Sequence, residues 1–262
     1  MTITSVQNPL VKAAAELKQK KYRLSRNLFL AEGLRTVEEA VGSNLIKSIF
    51  YTEISDERTR MVLEQAAAAG TELVCVSEGV FRKMSDTESP QGIIAVCRIP
   101  KFDFVSLLAV GAPLIVLDRV SDPGNVGTIL RTADATGMGG LVLLEGSADI
   151  FAPKTVRASM GSTFHLPLIT GMDANQAVSK MHDVGYKVLA TSLKDAGDIY
   201  TVNFSGRVAV VVGNEANGVS EALLEQADEK IFIPMVGRAE SLNVAVASGV
   251  IMYEILRCRR HK

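Results

Sequence analysis

Three times in its second half the chain leaves a short, wholly apolar stretch, crosses a polar loop and enters a helix-forming segment. The stretches are PLIVL at residues 113–117, VAVVV at 208–212 and IFIP at 231–234, and LVLL at 141–144 and YKVLA at 186–190 extend the pattern. Apolar runs of this length, bounded by Gly, Pro, Asn and Asp, read as buried strands; strands alternating with helices build a parallel sheet flanked by helices. In such a sheet ligands bind beyond the carboxyl ends of the strands, and the three loops fall there. Residues 106–262 therefore read as an α/β domain. Residues 1–105 read as a smaller α/β domain, with strands expected over 46–51, 72–76 and 92–98 and helices over 33–41, 56–69 and 77–84. Pro100, Gly111 and Pro113 punctuate a connector between them. A chain of 262 residues, 47% of them hydrophobic, has the material for two such cores.

Composition removes several functional classes. No apolar run approaches the roughly 18–20 residues of a membrane-spanning helix, so no membrane partner is expected. The opening MTITSVQNPLVK has no basic region followed by an apolar stretch, so no secretory signal is expected and the chain is placed in the cytoplasm. Cys75, Cys97 and Cys258 lie far apart without a CxxC pair, and His165, His182 and His261 lack metal-ligand spacing. Neither a disulfide framework nor a metal centre is expected. Lys plus Arg (28) nearly balances Asp plus Glu (29), but the distribution is uneven. Near the start Lys12, Lys18, Lys20, Lys21, Arg23 and Arg26 face a single acid, Glu16, and the sequence closes on R-C-R-R-H-K. Such clusters grip phosphates by counterion release, and equally they form solvated helix faces.

The loops carry the chemistry. In LDRVSDPGNVGTILRTADATG, beginning at Leu117, a turn over 122–125 opens a helix that carries Arg131 and lets Asn125 and Arg131 sit near one another. Free N–H groups at a helix start suit an anion or a polar substrate edge, and the arginine adds a fork of donors. An isolated D-P-G-N does no more than cap a helix. In VAVVVGNEANGVS, Gly213 permits close approach of backbone to a ligand and is followed by Asn214, Glu215 and Gly218; an ordinary glycine-rich turn with a capping carboxylate reads the same way. In IFIPMVGRAESLNVAVASGVIM, Ser241-Leu242-Asn243 opens a long helix that either Ser241 or Asn243 can cap. That helix is apolar nearly all round, so burial on most faces is expected.

Two rival enzymes fail on spacing. GMGGLVLL has Val142 where a dinucleotide fingerprint needs its third glycine, and it precedes a strand instead of following one. Ser159 and Ser162 lack G-x-S-x-G surroundings, and His165 nearby reads as a core or surface histidine rather than a general base.

Taken together, in this order and near this spacing, the three motifs resemble the SpoU (TrmH) family of RNA 2′-O-ribose methyltransferases, within the knotted SPOUT superfamily. The resemblance covers about residues 113–257, and F-L-A-E-G-L-R-T-V-E-E-A at 29–40 resembles the family's RNA-substrate-binding domain. It implies a deep trefoil knot in the second domain and S-adenosylmethionine as cofactor. It implies a cofactor cleft at Thr191, Ser192, Leu193, Gly213, Asn214, Glu215, Ile233, Met235, Leu242 and Asn243, with Ile233, Met235 and Leu242 as an apolar slot for adenine.

The same resemblance carries catalytic polar positions onto Asn125, Arg131, Glu215, Ser241 and Asn243. Arg131 would position the ribose hydroxyl and an adjacent phosphate, Asn125 would orient substrate or Arg131, Ser241 and Asn243 would hold the loop and cofactor, and Glu215 would brace the loops from behind. In FAPKTVRASMGSTF, Lys154 and Arg157 would meet RNA phosphate, with Ser159 and Gly161 shaping the loop, although a basic surface helix reads the same. The implied partners are RNA, ribosomal rather than transfer RNA, and a second copy of the chain in a homodimer. The alternative is a non-catalytic RNA-binding or ribosome-assembly factor on the same fold, which methyl transfer to RNA would distinguish.

Overall fold

The computed structural model describes residues 2–54 and 56–260; His261 and Lys262 of the basic C-terminal run lie outside the described residues. Contacts divide the chain into two units, Met1–Pro100 with Asp149–His165, and Lys101–Ala148 with Leu166–Lys262.

The first unit is built on four strands, β1 (Leu28–Glu32), β2 (Ile46–Tyr51), β3 (Glu72–Cys75) and β4 (Ile93–Arg98), in the order β1-β4-β2-β3. β4 runs antiparallel to both neighbours and β3 runs parallel to β2. Alternate side chains serve opposite faces. Leu30, Phe50, Ile94 and Val96 pack with Val11 and Ala14 of α1 (Pro9–Glu16) and with Val80, Phe81 and Met84 of α5 (Glu78–Met84). Their strand neighbours Phe29, Ala31, Ile49, Ala95 and Cys97 are fully buried. The Phe29 ring lies 5.1 Å from that of Phe151 and 5.9 Å from that of Phe164, which ties Asp149–His165 and its helix α8 (Pro153–Ser159) into this unit. The helices α2 (Lys20–Arg26), α3 (Leu34–Val41) and α4 (Glu57–Ala68) complete it. The three expected strands and three expected helices appear within one residue of their bounds; β1 was not among them.

Two cations expected to face solvent are instead committed inside this unit. Arg23 is 3% exposed. Its Nη1 donates to the Leu17 and Lys18 carbonyls at 2.8 Å each, and its Nη2 meets Asp149 Oδ2 at 2.6 Å. Arg157 pairs with Asp86 at 3.3 Å and Glu32 at 3.7 Å. Arg26 pairs with Glu16, and Lys18 Nζ donates to the Ser85 carbonyl at 2.8 Å. Half of the N-terminal basic cluster thus does structural work, and Lys12, Lys20 and Lys21 remain exposed.

The second unit is a seven-stranded sheet in which every pairing is parallel. Its strands are β5 (Leu114–Asp118), β6 (Gly140–Leu144), β7 (Leu168–Met172), β8 (Lys187–Thr191), β9 (Gly197–Asp198), β10 (Val208–Gly213) and β11 (Glu229–Phe232), in the order β7-β6-β5-β10-β8-β11-β9. β5, β6 and β10 are buried along their whole length, as wholly apolar central strands must be. One face packs on α6 (Phe104–Val110), α9 (Ala174–Asp183) and α10 (Glu221–Gln226) through Phe104, Leu107, Val178, Met181 and Leu223. α7 (Pro123–Ala135) packs against α11 (Val244–Arg260), which also touches β10. The expected connector therefore contains a helix: Asp103 accepts from Ser106 N at 2.8 Å to cap α6, whose apolar side enters the core. β7 and β9 are also additions to the expected strands. No helix among the described residues is long and apolar enough to cross a membrane.

Candidate functional site

The chain order of the central strands reverses between β5 and β10. Strands β5, β6 and β7 step outward on one side, while β8 and β11 lie on the other. A cleft beyond the carboxyl ends at such a switch point is where open α/β sheets hold ligands. The motif loops after β10 and β11 line a cleft there, and the loop after β5 is tied to them by hydrogen bonds.

β5 ends on Asp118, which is 3% exposed and accepts from Ser220 N at 2.7 Å and from Arg119 Nε at 3.1 Å. The chain then turns through Arg119, in the left-handed region at φ 55, towards α7. Asp122 caps that helix by accepting from Asn125 N at 2.9 Å, and Pro123 occupies the first helical position, where its missing N–H costs nothing.

Glu215, in the loop after β10, fastens itself to this turn. Its carboxylate accepts from Ser121 N at 3.2 Å, Ser121 Oγ at 3.1 Å, Asp122 N at 3.2 Å and Asn125 Nδ2 at 3.0 Å. Burial pushes its carboxyl up, but the hydrogen bonds from the Asn125 side chain and from the backbone of Glu215, Ser121 and Asp122 outweigh that and hold it down to about 2. Glu215 is therefore a fixed anion that ties two loops together.

Asn125 passes the connection on. Its Oδ1 accepts from Asn243 Nδ2 at 3.1 Å, and Asn243 Oδ1 accepts from Ala245 N at 2.9 Å and Val246 N at 3.3 Å. Of the two candidate caps for α11, Asn243 is the one used. Both amide orientations are set by this chain of donors and acceptors, which runs from a carboxylate to a helix start. Asn214 closes its own loop by accepting from Ala216 N at 3.0 Å and donating to the Arg119 carbonyl at 2.9 Å.

Around this framework lies a cavity of about 640 Å³. That is within the ~300–1,000 Å³ range of small-molecule sites. Thr191, Ser192 and Leu193 line it from the end of β8, Gly213, Asn214 and Glu215 from β10, and Ile233, Met235, Ser241, Leu242 and Asn243 from the segment after β11. Leu193 is 75% exposed and Leu242 36%, so apolar surface waits inside a polar rim. This combination fits a flat heteroaromatic base with a polar tail, as S-adenosylmethionine presents. Arg131 stands apart: it is six residues beyond Asn125 on α7, about 9 Å along the axis. It is exposed and has no hydrogen-bond or ion-pair partner among the described residues.

The structure thus bonds Asn125 to both Glu215 and Asn243, sets Ser241 on the cavity wall and leaves Arg131 exposed on its helix. Reading by motif passed over Ser121 and Asp118. A polar residue just before a capping aspartate and an acid closing an apolar strand were the available signals. Among the described residues no three His, Cys, Asp or Glu side chains form a group that could hold a metal ion.

Residues 112–253 match the model of the SpoU rRNA Methylase family, and residues 8–95 match the MRM3-like substrate binding domain. The 23S rRNA (guanosine(2553)-2'-O)-methyltransferase RlmP of Bacillus subtilis is 39% identical over 97% of this chain and 98% of its own. An AdoMet-bound rRNA methyltransferase from Sinorhizobium meliloti superposes with a TM-score of 0.87 at 34% identity, covering 100% of this chain and 98% of that one. The SpoU methyltransferase AviRb of Streptomyces viridochromogenes, in complex with AdoMet, gives 0.88 at 28% identity, covering 97% and 99%.

Proposed function

Because the chain belongs to the SpoU rRNA methylase family, we propose that its substrate is ribosomal RNA and that its working form is a cytoplasmic homodimer. The activity itself is S-adenosylmethionine-dependent methylation of a ribose 2′-hydroxyl in RNA. Ribosomal RNA is favoured because RlmP and the Sinorhizobium meliloti protein named above are rRNA methyltransferases and because residues 8–95 match a substrate-binding model.

The observation that carries the catalytic reading is that the loops after β8, β10 and β11 line one cavity, to which the Glu215–Asn125–Asn243 chain ties the loop after β5. S-adenosylmethionine supplies a methyl group already activated on a sulfonium. The protein's task is then to align the hydroxyl and stabilise charge as its proton leaves. Arg131, exposed and uncommitted, holds the hydroxyl and a neighbouring phosphate and stabilises developing alkoxide charge; a guanidinium keeps its own proton and suits this role better than that of base. Leu193, Ile233, Met235 and Leu242 bury the adenine, while the backbone at Thr191, Ser192, Gly213 and Asn214 reads its polar edge. Ser241 and Asn243 hold the loop over the cofactor, and Glu215 acts at one remove by fixing Asn125.

The dimer is supported by α11. Val246 and Tyr253, seven residues apart on that helix, are 54% and 56% exposed while Ile251, Met252 and Ile255 are buried, so one apolar stripe is left for a second copy. We infer a deep trefoil knot in the second unit from membership of the SpoU family alone.

The test is transfer of labelled methyl from S-adenosylmethionine to unmodified rRNA by wild type and Arg131→Ala side by side. Label in a 2′-O-methyl nucleoside with wild type, and a drop of about 10²-fold or more in the variant with cofactor affinity kept, is the expected result. Binding of cofactor and RNA by wild type without any transfer would favour the non-catalytic assembly factor.

A further inference from the structure

In the first unit, a polar recess of about 270 Å³ lies where the α3–β2 turn, the α4–β3 turn and the end of β4 meet. Lys47 and Arg98 line it together with Asn44, Thr71 and Gly70, and no carboxylate does. Both cations are exposed, and neither has a hydrogen-bond or ion-pair partner among the described residues.

The backbone departs from regularity at this place. Ile46 pairs with Cys97 and Ser48 with Val96, so Lys47 is an extra residue with no partner opposite it in the ladder. A bulge re-aims the side chain at a strand end, and bulges concentrate beside functional sites. Three residues earlier Asn44 sits in the left-handed region at φ 56, an uncommon conformation for a residue with a side chain. Two independent distortions therefore surround one pair of uncommitted cations.

The charge balance narrows the ligand. Lys47 and Arg98 bring two positive charges. The carboxyl ends of α3 and α4, at Val41 and Ala68, each contribute roughly half a negative charge nearby. These ends partly offset the two cations, which favours an anion of low charge, such as a phosphodiester, over a phosphate dianion. We infer that this recess holds a backbone phosphate of the RNA substrate, with Lys47 as a point charge and Arg98 as the hydrogen-bonding fork. The inference rests on the reading of the chain as an RNA methyltransferase.

The test uses the full chain and an unmodified 23S rRNA transcript, with binding measured across a salt series. Lys47→Gln with Arg98→Gln should weaken binding on the order of threefold to tenfold and flatten the plot of log affinity against log salt by about 0.7–0.9, the slope of one neutralised phosphate. Thermal midpoint and S-adenosylmethionine affinity should stay at wild-type values, and Lys47→Arg should keep the RNA affinity. An unchanged slope and affinity in the double variant would overturn the site while methyl transfer by wild type upheld the enzyme. Failure of wild type itself to bind or methylate the transcript would fall on the enzyme reading instead. A third arm titrates inorganic phosphate: saturation by wild type but not by the double variant, with RNA affinity equal in both, would reassign the recess to a free anion and also overturn it.

Discussion

Asn243 donates through Nδ2 to Asn125 Oδ1 at 3.1 Å, joining the residue that starts α11 to the third residue of α7 across 118 positions of sequence. The same Asn243 side chain caps α11, so its two functions can be separated by substitution. Serine at 243 keeps a capping oxygen but is too short to reach Asn125. Asn243→Ser should therefore hold the thermal midpoint near wild type while methyl transfer falls by about tenfold, whereas Asn243→Ala should lose both, with a stability cost of about 1 kcal/mol. Equal activity in wild type and the serine variant would remove the relay from the catalytic account.

Glu215 makes a pH-dependent contribution whose sign is determined. Its carboxyl lies at about 2 in the folded chain and near the ordinary 4.5 when unfolded. The unfolded chain thus takes up the proton first as pH falls. The stabilisation is complete above about pH 4.5 and is lost between there and pH 2. Glu215→Gln should be less stable than wild type at neutral pH, with the gap in thermal midpoint narrowing as pH is stepped from 5 towards 3. A gap that stays constant over those steps would contradict the assignment.

Arg23 and its neighbours make opposite predictions although sequence places them together. Arg23 is buried against two carbonyls and Asp149, so Arg23→Met leaves those acceptors without their partner. The expected cost is on the order of 3 kcal/mol in urea unfolding. Lys20→Gln with Lys21→Gln, both exposed, should stay within about 0.5 kcal/mol per site.

That contrast shows what could be read in advance. The wholly apolar strands β5, β6 and β10 announce themselves because a central parallel strand is buried on both faces. β7 does not: only Leu168 and Ile169 are buried, and Gly171 adopts φ 68 at its far end. β1 was absorbed into the motif that contains it, and α6 was hidden between Pro100 and Gly111, which look like continuous loop. The site loops were legible because glycine, asparagine and proline mark strand ends. The partners of Arg157 were not, since Glu32 and Asp86 come from distant parts of the chain and only folding brings them together.

Helix α11 offers a test of assembly. Val246→Glu with Tyr253→Glu places two charges on the uncovered stripe, about 10 Å apart along the axis. Sedimentation should show wild type as a dimer and the variant as a monomer, with methyl transfer reduced in proportion. A wild-type protein that sediments as a monomer, or a variant that remains dimeric, would move the interface elsewhere or remove it.

The wall formed by the loop after β10 sets a limit on redesign. A Cβ at position 213 would fall on the backbone of Gly218 and Val219, far inside contact distance, and Asn214 and Gly218 are bridged to each other. That side of the cavity is a closed ring with no slack. Engineering the enzyme to accept cofactors with a larger base would have to begin at Leu193 and Leu242, which are 75% and 36% exposed, because position 213 tolerates no side chain.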